Sequence, residues 1–217
     1  MSLLQAFLLS LIQGLTEFLP VSSSGHLVIA QKLLGFREPP VVFDIMLHFG
    51  SLTAVLVYFR KQFLNLSKKL ILLTIIGTIP AIVVGLFLNQ YIEIIFNSVK
   101  MVGISLIITA ILLFSTKFIK STTKKESQIT ILDAILIGIM QAVAILPGVS
   151  RSGSTMVTGL WRKLNRETAF IFSFYLAVPA ILGAAVLKMR HIDNLNLELF
   201  PFTLGFLISI VVSYLAL

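Results

Sequence analysis

Two short polar runs interrupt a mostly apolar chain, and both carry residue types that act on phosphate. The run 22–26 holds three serines, a glycine and a histidine, and the run 150–153 holds an arginine between serines. Hydroxyls and imidazoles serve as nucleophiles or bases, and a guanidinium binds two phosphate oxygens at once. Pro20 and Pro147 precede the runs, so each run should lie where one helix ends and another begins. Free N–H groups at the start of a helix attract anions, so the runs predict a phosphate site.

Gln13 and Glu17 are four residues apart, so they share one helix face and can reach one ligand. Glu17 falls in the last turn of the predicted first helix, where the negative helix end disfavours a carboxylate. A metal ion or Arg151 would compensate its charge. The competing interpretation is a surface charge near the membrane–water interface, but an ionisable residue in a membrane helix indicates function by default.

We expect catalytic roles for Glu17, Ser23, His26 and Arg151. The phosphate-binding candidates are Ser22, Ser24, Gly25, Ser150, Ser152 and Gly153. The spacing does not divide capping, phosphate binding and nucleophilic attack among the serines of the first run. A salt bridge to Glu17 is the competing interpretation for Arg151, and the two interpretations are compatible.

Four other polar residues are weaker candidates. Asp44 and His48 lie four apart on one helix face, and we expect a polar pair at a helix end or a layer behind the site. Asp133 is interpreted as a charge in the first turn of a helix. His191 lies in a polar loop, and no role is assigned to it.

The composition is that of a membrane protein. Hydrophobic residues make up 57% of the 217 residues and charged residues 12%, with a mean hydropathy of +1.01. Such a chain is a polytopic helical membrane protein rather than a soluble domain. The net charge of +8 is therefore attributed to loop residues that set topology, and no nucleic-acid partner is expected. No basic segment precedes the first apolar stretch, so no cleaved signal peptide is expected.

The hydropathy pattern predicts an all-α fold in one membrane domain, 1–217, with about five full transmembrane helices and two re-entrant helix–loop–helix hairpins. The first hairpin covers 2–36, where the second arm of about ten residues reaches roughly 15 Å, or half a bilayer. The second hairpin covers 129–160. The predicted spans are 41–59, 70–88, 101–118, 170–187 and 199–217.

The two hairpins resemble each other at an offset of about 128 residues, with Gln13 echoed by Gln141. Of the 17 Lys and Arg residues, 11 lie in the segments 60–69, 117–125 and 162–166. The positive-inside rule places these segments in the cytoplasm, so the first hairpin enters from outside and the second from inside. We therefore expect an inverted-topology repeat, with halves 1–118 and 129–217 and a site at their interface. Chance similarity of two Pro/Gly/Ser breaks is the alternative.

The segments 13–26 and 146–155 resemble the two defining motifs of the bacterial undecaprenyl-diphosphate phosphatase family of the bacitracin-resistance type, and 43–50 resembles a third, weaker one. The resemblance covers the whole chain. It implies an integral enzyme of the bacterial cytoplasmic membrane that removes the terminal phosphate of undecaprenyl diphosphate. The product is the lipid carrier for peptidoglycan synthesis.

The resemblance also implies an outward-facing site and a divalent cation, Mg²⁺ or Ca²⁺, with Gln13 and Glu17 as the metal ligands. The expected partners are the polyprenyl diphosphate lipid, the bilayer and, as an option, a second copy of the chain. Two departures stand out. Many members have Glu where this chain has Gln13, which weakens a two-carboxylate metal site. The family usually continues past Leu217 into one more span, so the second half should hold two spans against three in the first.

The predicted mechanism is metal-assisted phosphoryl transfer. Arg151 and the helix N-terminus hold the diphosphate, while Glu17 with Gln13 places the metal or activates the nucleophile. Ser23 or His26 attacks, or His26 activates water. The main alternative is a transporter or flippase for a phosphorylated polyprenyl lipid, because inverted repeats with broken helices are typical of transporters. A purely structural membrane subunit would leave Glu17, His26 and Arg151 unexplained.

Overall fold

The computed structural model describes residues 1–37, 40–96, 98–120, 122–189 and 199–217, and for 88–96 and 189 the backbone only. The described part is all α, as predicted, apart from two short 3-10 turns and one isolated bridge between Lys124 and Leu164. Its ten helices are α1 Leu3–Thr16, α2 Ser23–Leu33, α3 Val41–Tyr58, α4 Arg60–Leu64, α5 Lys68–Phe96, α6 Val99–Ser115, α7 Ile131–Val143, α8 Arg151–Trp161, α9 Arg166–Met189 and α10 Leu199–Ala216.

Five of the helices are long and apolar enough to cross a membrane, which confirms the predicted number of spans. They cover Val41–Tyr58, Lys68–Phe87, Val99–Phe118, Arg166–Lys188 and Leu199–Ala216. Two apolar helices are shorter, Leu3–Thr16 and Ile131–Val143. The 14 residues of α1 rise only about 21 Å, which is less than the hydrocarbon thickness. The chain is therefore a multi-pass membrane protein with two helices too short to span.

Several predicted boundaries were wrong. The sequence predicts a first arm over 2–19, ending before Pro20, and a polar connector over 89–100. The first arm instead ends at Thr16, and α5 continues to Phe96. No Pro or Gly occurs between Asn89 and Phe96, so nothing local stops the helix there. The predicted basic loop 60–69 contains the short helix α4. The sequence predicts a short second arm over 156–160, but α8 begins at Arg151, because Ser150 caps it. The loop with His191 and Asn194 lies outside the described residues.

Six of the described helices fall into two sets that run in opposite directions. In one set, α1, α3 and α10 are parallel: the ring of Phe43 lies 5.4 Å from that of Phe202, and the ring of Tyr58 lies 5.5 Å from that of Tyr214. Gly14 of α1 packs directly on Val212 of α10. The other set contains α5, α7 and α9, whose first turns share one apolar cluster. Because α9 runs antiparallel to α3, the two sets are inverted relative to each other.

The basic segments converge at one end of the molecule. Lys69 Nζ donates to Ser127 O at 2.7 Å, and the backbone N–H groups of Thr123 and Lys124 donate to Lys163 O. The first turns of α5, α7 and α9 lie at this end, whereas those of α1, α3 and α10 lie at the other. The grouping of the basic segments at one end matches the charge distribution that the positive-inside rule requires of cytoplasmic loops.

Each hairpin is closed at its base by residues at corresponding positions, 128 residues apart. In the first, Ser2 caps α1 and Gln5 Nε2 donates to Leu34 O at 3.0 Å. In the second, Thr130 caps α7, and Asp133 accepts from Arg162 Nε at 2.8 Å. Asp133 is thus a residue of the first helical turn, as predicted.

Asp133 is a stability determinant of the second hairpin. Its fully buried carboxylate also accepts from Lys124 Nζ at 2.8 Å and from the N–H and hydroxyl of Thr130 at 2.9 and 2.8 Å. Asp133→Asn should lower the free energy of unfolding by about 2 kcal/mol, because two charge-assisted hydrogen bonds are lost. Thermal unfolding in detergent measures this effect. Glu167→Gln, at an exposed position, is the control, and equal midpoints for both variants would contradict the assignment.

Candidate active site

The breaks of the two hairpins lie against each other. Ser152 Oγ donates to Leu19 O at 3.1 Å across the interface. A Cβ on Gly153 would lie 3.2 Å from Pro20 O, and one on Gly25 would lie 2.9 Å from the Cα of Gly148. A side chain at Gly25 would therefore force the two tips apart, and one at Gly153 would fit only tightly. The structure brings the two polar runs together, as their sequence similarity suggested.

The second helix of each hairpin is capped by the first serine of its run. Ser22 Oγ accepts from Gly25 N at 3.3 Å, and Ser150 Oγ accepts from Gly153 N at 3.0 Å. Ser22 adopts a φ of 68°, an unusual left-handed value for a residue other than glycine. The first turns of α2 and α8, where backbone N–H groups lack helical partners, therefore begin beside the same contact.

Glu17 is the centre of the site. It is only 7% exposed, and both of its carboxylate oxygens are used. Oε1 accepts from Arg151 Nη2 at 2.7 Å. Oε2 accepts from Ser23 Oγ at 2.6 Å and from Gln13 Nε2 at 3.0 Å. The carboxylate at the negative end of α1 is thus compensated by Arg151 across the hairpin interface, which was one of the two solutions predicted.

The two terminal nitrogens of Arg151 have different environments. Nη2 binds Glu17, while Nη1 is buried and has no hydrogen-bond partner among the described residues. A buried N–H donor without a partner is costly, so its presence calls for a ligand with acceptor oxygens. The guanidinium can bind Glu17 and an anion together, since its donors form a planar fork.

His26 is oriented by its own turn. Its Nδ1 lies 2.8 Å from Ser22 O, and a carbonyl can only accept, so the proton is assigned to Nδ1. The Nε2 atom then carries the lone pair and is the one that can accept a proton. The structure therefore places a potential base three residues after Ser23.

His48 joins the site, although its spacing from Asp44 predicts only a polar pair at a helix end or a layer behind the site. Its Nδ1 lies 3.3 Å from Glu17 Oε2 and 2.9 Å from Gln13 Nε2. A proton on Nδ1 would bond it to Glu17, and a lone pair there would bond it to Gln13. Asp44, four residues earlier, instead accepts from Gln31 Nε2 at 2.8 Å. The predicted pair is thus split between the site and a structural contact.

A ladder of serines supports Gln13 from behind. Gln13 Nε2 lies 3.3 Å from Ser51 Oγ, and Ser51 Oγ is 2.9 Å from Ser213 Oγ and 3.1 Å from Ser209 Oγ. Ser209 also donates to Leu47 O at 2.7 Å. These hydroxyls join α3 and α10 to α1 in a buried network. The serines of α10 therefore help to hold Gln13 of α1 in place.

Gln13 and Glu17 do not converge as metal ligands in this arrangement. Gln13 turns its amide nitrogen toward the carboxylate, and its Oε1 is buried without a partner. Donors already occupy both oxygens of Glu17, and no cluster of three or more His, Cys, Asp or Glu side chains suited to a metal occurs in the described residues. The residues present do not by themselves fit Mg²⁺ or Ca²⁺, which prefer converging oxygen ligands.

Fold and site together define a class: a multi-pass helical membrane protein in which a buried Glu–Arg pair, a serine and two histidines gather where two helix breaks meet. Comparison with known proteins agrees with this class. The family described as "Bacitracin resistance protein BacA" matches residues 6–217. The chain belongs to the BacA family.

Named relatives extend over nearly the whole chain. An undecaprenyl-diphosphatase of Carboxydothermus hydrogenoformans is 46% identical over 225 residues, which cover 100% of this chain and 86% of that protein. Undecaprenyl-diphosphatase 4 of Bacillus thuringiensis (strain Al Hakam) is 44% identical over 227 residues, covering 99% of this chain and 88% of that protein. An undecaprenyl-diphosphatase of Methanosphaera stadtmanae is 36% identical over 243 residues, covering 100% and 88%.

Proposed function

We propose that the chain hydrolyses undecaprenyl diphosphate to undecaprenyl phosphate and inorganic phosphate. One observation carries the proposal: Ser23 and Arg151 both bind Glu17, at 2.6 and 2.7 Å, while Arg151 Nη1 is left as a buried, unpartnered donor. A nucleophile (Ser23), a proton acceptor (Glu17) and a hydrogen-bond donor for an anion (Arg151) thus lie within one site. Family membership and the names of the relatives support the same reaction.

In the first step, Ser23 Oγ attacks the terminal phosphorus. The Oγ–P bond forms as the bond from phosphorus to the bridging oxygen breaks, and undecaprenyl phosphate leaves as an anion. The hydroxyl proton passes to Glu17, to which it is already hydrogen-bonded. Arg151 Nη1 and the first N–H groups of α2 and α8 stabilise the charge that develops on the phosphoryl oxygens.

In the second step, water attacks the phosphoserine. Its proton passes to His26 Nε2, the P–Oγ bond breaks, and Ser23 takes back the proton from Glu17. Inorganic phosphate then leaves, and His26 releases its proton to solvent. His26 as the direct nucleophile, or as the base for a single-step attack by water, are the alternatives that the sequence left open. The short Ser23–Glu17 contact favours the serine. No step is assigned to a divalent cation, and the requirement for Mg²⁺ or Ca²⁺ stays a prediction.

Phosphate release by the purified protein tests the function. Wild type should release inorganic phosphate from undecaprenyl diphosphate in detergent, and Ser23→Ala should lower the rate by about 1000-fold or more, because the nucleophile is gone. Ser115→Ala is the matched control and should retain most activity, since Ser115 lies outside both polar runs and its hydroxyl donates to Leu112 O of α6 at 2.6 Å.

Two results of that assay are decisive. No phosphate release by folded wild type contradicts the function. Wild-type rates in Ser23→Ala contradict the serine nucleophile but leave the function standing. Repeating the assay with a chelator and then with added Mg²⁺ or Ca²⁺ tests the cation requirement separately.

We further propose that the single domain 1–217 is an inverted-topology repeat, with halves 1–118 and 129–217. The antiparallel helix sets, the shared offset of 128 residues and the matching closures of the two hairpins support it. The two short apolar helices then belong to re-entrant hairpins, and the prenyl tail lies among helices in the lipid. A homodimer stays a prediction.

We propose that the protein lies in the bacterial cytoplasmic membrane, with its N-terminus and the loop near Asn194 outside and the loops near Ser67 and Lys124 inside. The convergence of the basic segments at one end supports this orientation, and an outward-facing site stays a prediction. Because the chain has no cysteine, single-cysteine labelling is clean. An impermeant maleimide should label Arg37→Cys in intact cells and Ser67→Cys only after lysis. Labelling of Ser67→Cys in intact cells would contradict the orientation.

The carrier alternative draws its support from the same antiparallel helix sets, which are typical of transporter architecture. A carrier, however, needs only the phosphate-binding donors. It has no use for a serine hydrogen-bonded to a buried carboxylate. The site therefore favours the enzyme.

A further inference from the structure

The tip of the second hairpin is held by a threonine outside both polar runs. Thr109 lies on α6 and is 4% exposed. Its Oγ1 donates to Gly148 O at 2.8 Å and accepts from Ser150 N at 2.9 Å. One hydroxyl thus satisfies two backbone groups on either side of Val149, at the point where the hairpin is not helical.

Other threonines of the spanning helices use their hydroxyls differently. Thr53 and Thr78 donate to the carbonyl four residues earlier in their own helix, at 2.8 and 2.7 Å. That bond stays within one helix and fixes no neighbour. Thr109 instead bonds to the turn 148–150 that precedes α8. Backbone polar groups within a membrane require hydrogen-bond partners, and Thr109 supplies them there.

The turn 148–150 packs between α6 and the first hairpin. Gly148 has a φ of +95°. A Cβ there would lie 2.5 Å from Val102 O and 2.7 Å from Ser105 Cβ, both on α6. On its other side lies Gly25. The second tip therefore has contacts on two faces, and Thr109 supplies its hydrogen bonds on the α6 face.

Ser150 links this contact to the site. It caps α8, and Arg151 is the first residue of that helix. The backbone that Thr109 holds is thus directly connected to the guanidinium that lies 2.7 Å from Glu17. A shift of the turn would move Arg151 relative to Ser23 and the phosphate.

We propose that Thr109 is a positioning residue: through its two hydrogen bonds to Gly148 and Ser150, it holds Arg151 in register with the Ser23–Glu17 pair. The proposal rests on the proposed function. It differs from it in assigning a role to α6, which contributes no residue to the polar runs.

The test compares three variants. Thr109→Val keeps the side-chain shape and removes the hydroxyl, and we expect kcat/KM to fall by about 10- to 100-fold, since small misplacements cost this much. Thr109→Ser keeps the hydroxyl and should remain within about threefold of wild type. Thr78→Val is the matched control, because Thr78 is also 4% exposed in a spanning helix and bonds only its own helix.

A double variant separates positioning from general packing. If Thr109 acts through Arg151, adding Thr109→Val to Arg151→Lys should cost less than about threefold, because residues that act as a unit are not additive. A loss in the Arg151→Lys background equal to that in wild type would overturn the proposal. So would equal activity of Thr109→Val and Thr78→Val.

Hydrogen exchange gives a readout that does not depend on activity. In Thr109→Val, the amide of Ser150 should exchange at least about tenfold faster than in wild type, since its acceptor is gone, and Thr78→Val should leave it unchanged. Unchanged exchange overturns the proposal even if activity falls. If wild type releases no phosphate, the proposed function fails while the exchange result still decides whether Thr109 holds the turn. Thr109→Ala replaces Thr109→Val in every arm if the valine variant does not fold.

Discussion

Arg151→Lys should lose most of the phosphate-releasing activity although the charge is kept. A lysine ammonium is a single point charge, so it can bind Glu17 or the phosphate but cannot hold both as the fork of Arg151 does. By analogy with removal of one oxyanion donor, the loss of transition-state stabilisation should be about 2–4 kcal/mol. This corresponds to about 30- to 1000-fold in kcat/KM, measured as phosphate release under subsaturating substrate.

Arg60→Lys is the matched control for that variant, because Arg60 is exposed on the short helix α4. It should retain wild-type turnover. Thermal unfolding of Arg151→Lys should show a folded protein, since the ammonium still compensates Glu17. Near-native turnover of Arg151→Lys would show that simultaneous binding of Glu17 and the phosphate by the guanidinium has no catalytic role.

The residues nearest the chemistry were predictable from local spacing. Gln13 and Glu17 share a helix face, and the structure confirms that they contact each other, at 3.0 Å. The uncompensated carboxylate at a helix end predicted a partner such as Arg151, which lies 134 residues away in the chain. Local spacing was enough here because helix geometry and the need to compensate a buried charge leave very few possible partners for Glu17.

Contacts that depend on tertiary packing were not predictable. His48 lies on α3, and only the packing of α3 against α1 brings it to Glu17. Thr109 had no signal, because a single threonine in an apolar helix is common and its partner is a backbone turn in another element. The start of α8 was placed five residues too late, since the run of serines and glycine looked like a loop although Ser150 caps a helix there.

The strongest separation of enzyme from carrier comes from Glu17→Gln and His26→Ala. Each should abolish phosphate release. Glu17→Gln removes the acceptor for the Ser23 proton and the charge that pairs with Arg151. His26→Ala removes the Nε2 atom that we assign as the base for water. Both variants should be assayed as purified, folded protein, with Glu167→Gln as an exposed-carboxylate control that stays active.

The double variant adds a second criterion. Catalytic groups that act as a unit give non-additive losses, so Glu17→Gln/His26→Ala should be scarcely slower than the more damaged single variant. Losses that multiply would indicate two independent contributions, such as separate effects on folding.

Binding completes the comparison, because a carrier and an enzyme share the phosphate donors but not the reactive groups. A non-hydrolysable polyprenyl methylenediphosphonate should still bind His26→Ala, since Arg151 Nη1 and the capped start of α8 are untouched. If both single variants instead release phosphate at wild-type rates while lipid transport across vesicles fails, the catalytic roles of Glu17 and His26 are wrong, although the phosphatase function stands. The buried serine–carboxylate pair would then serve to hold a transported headgroup.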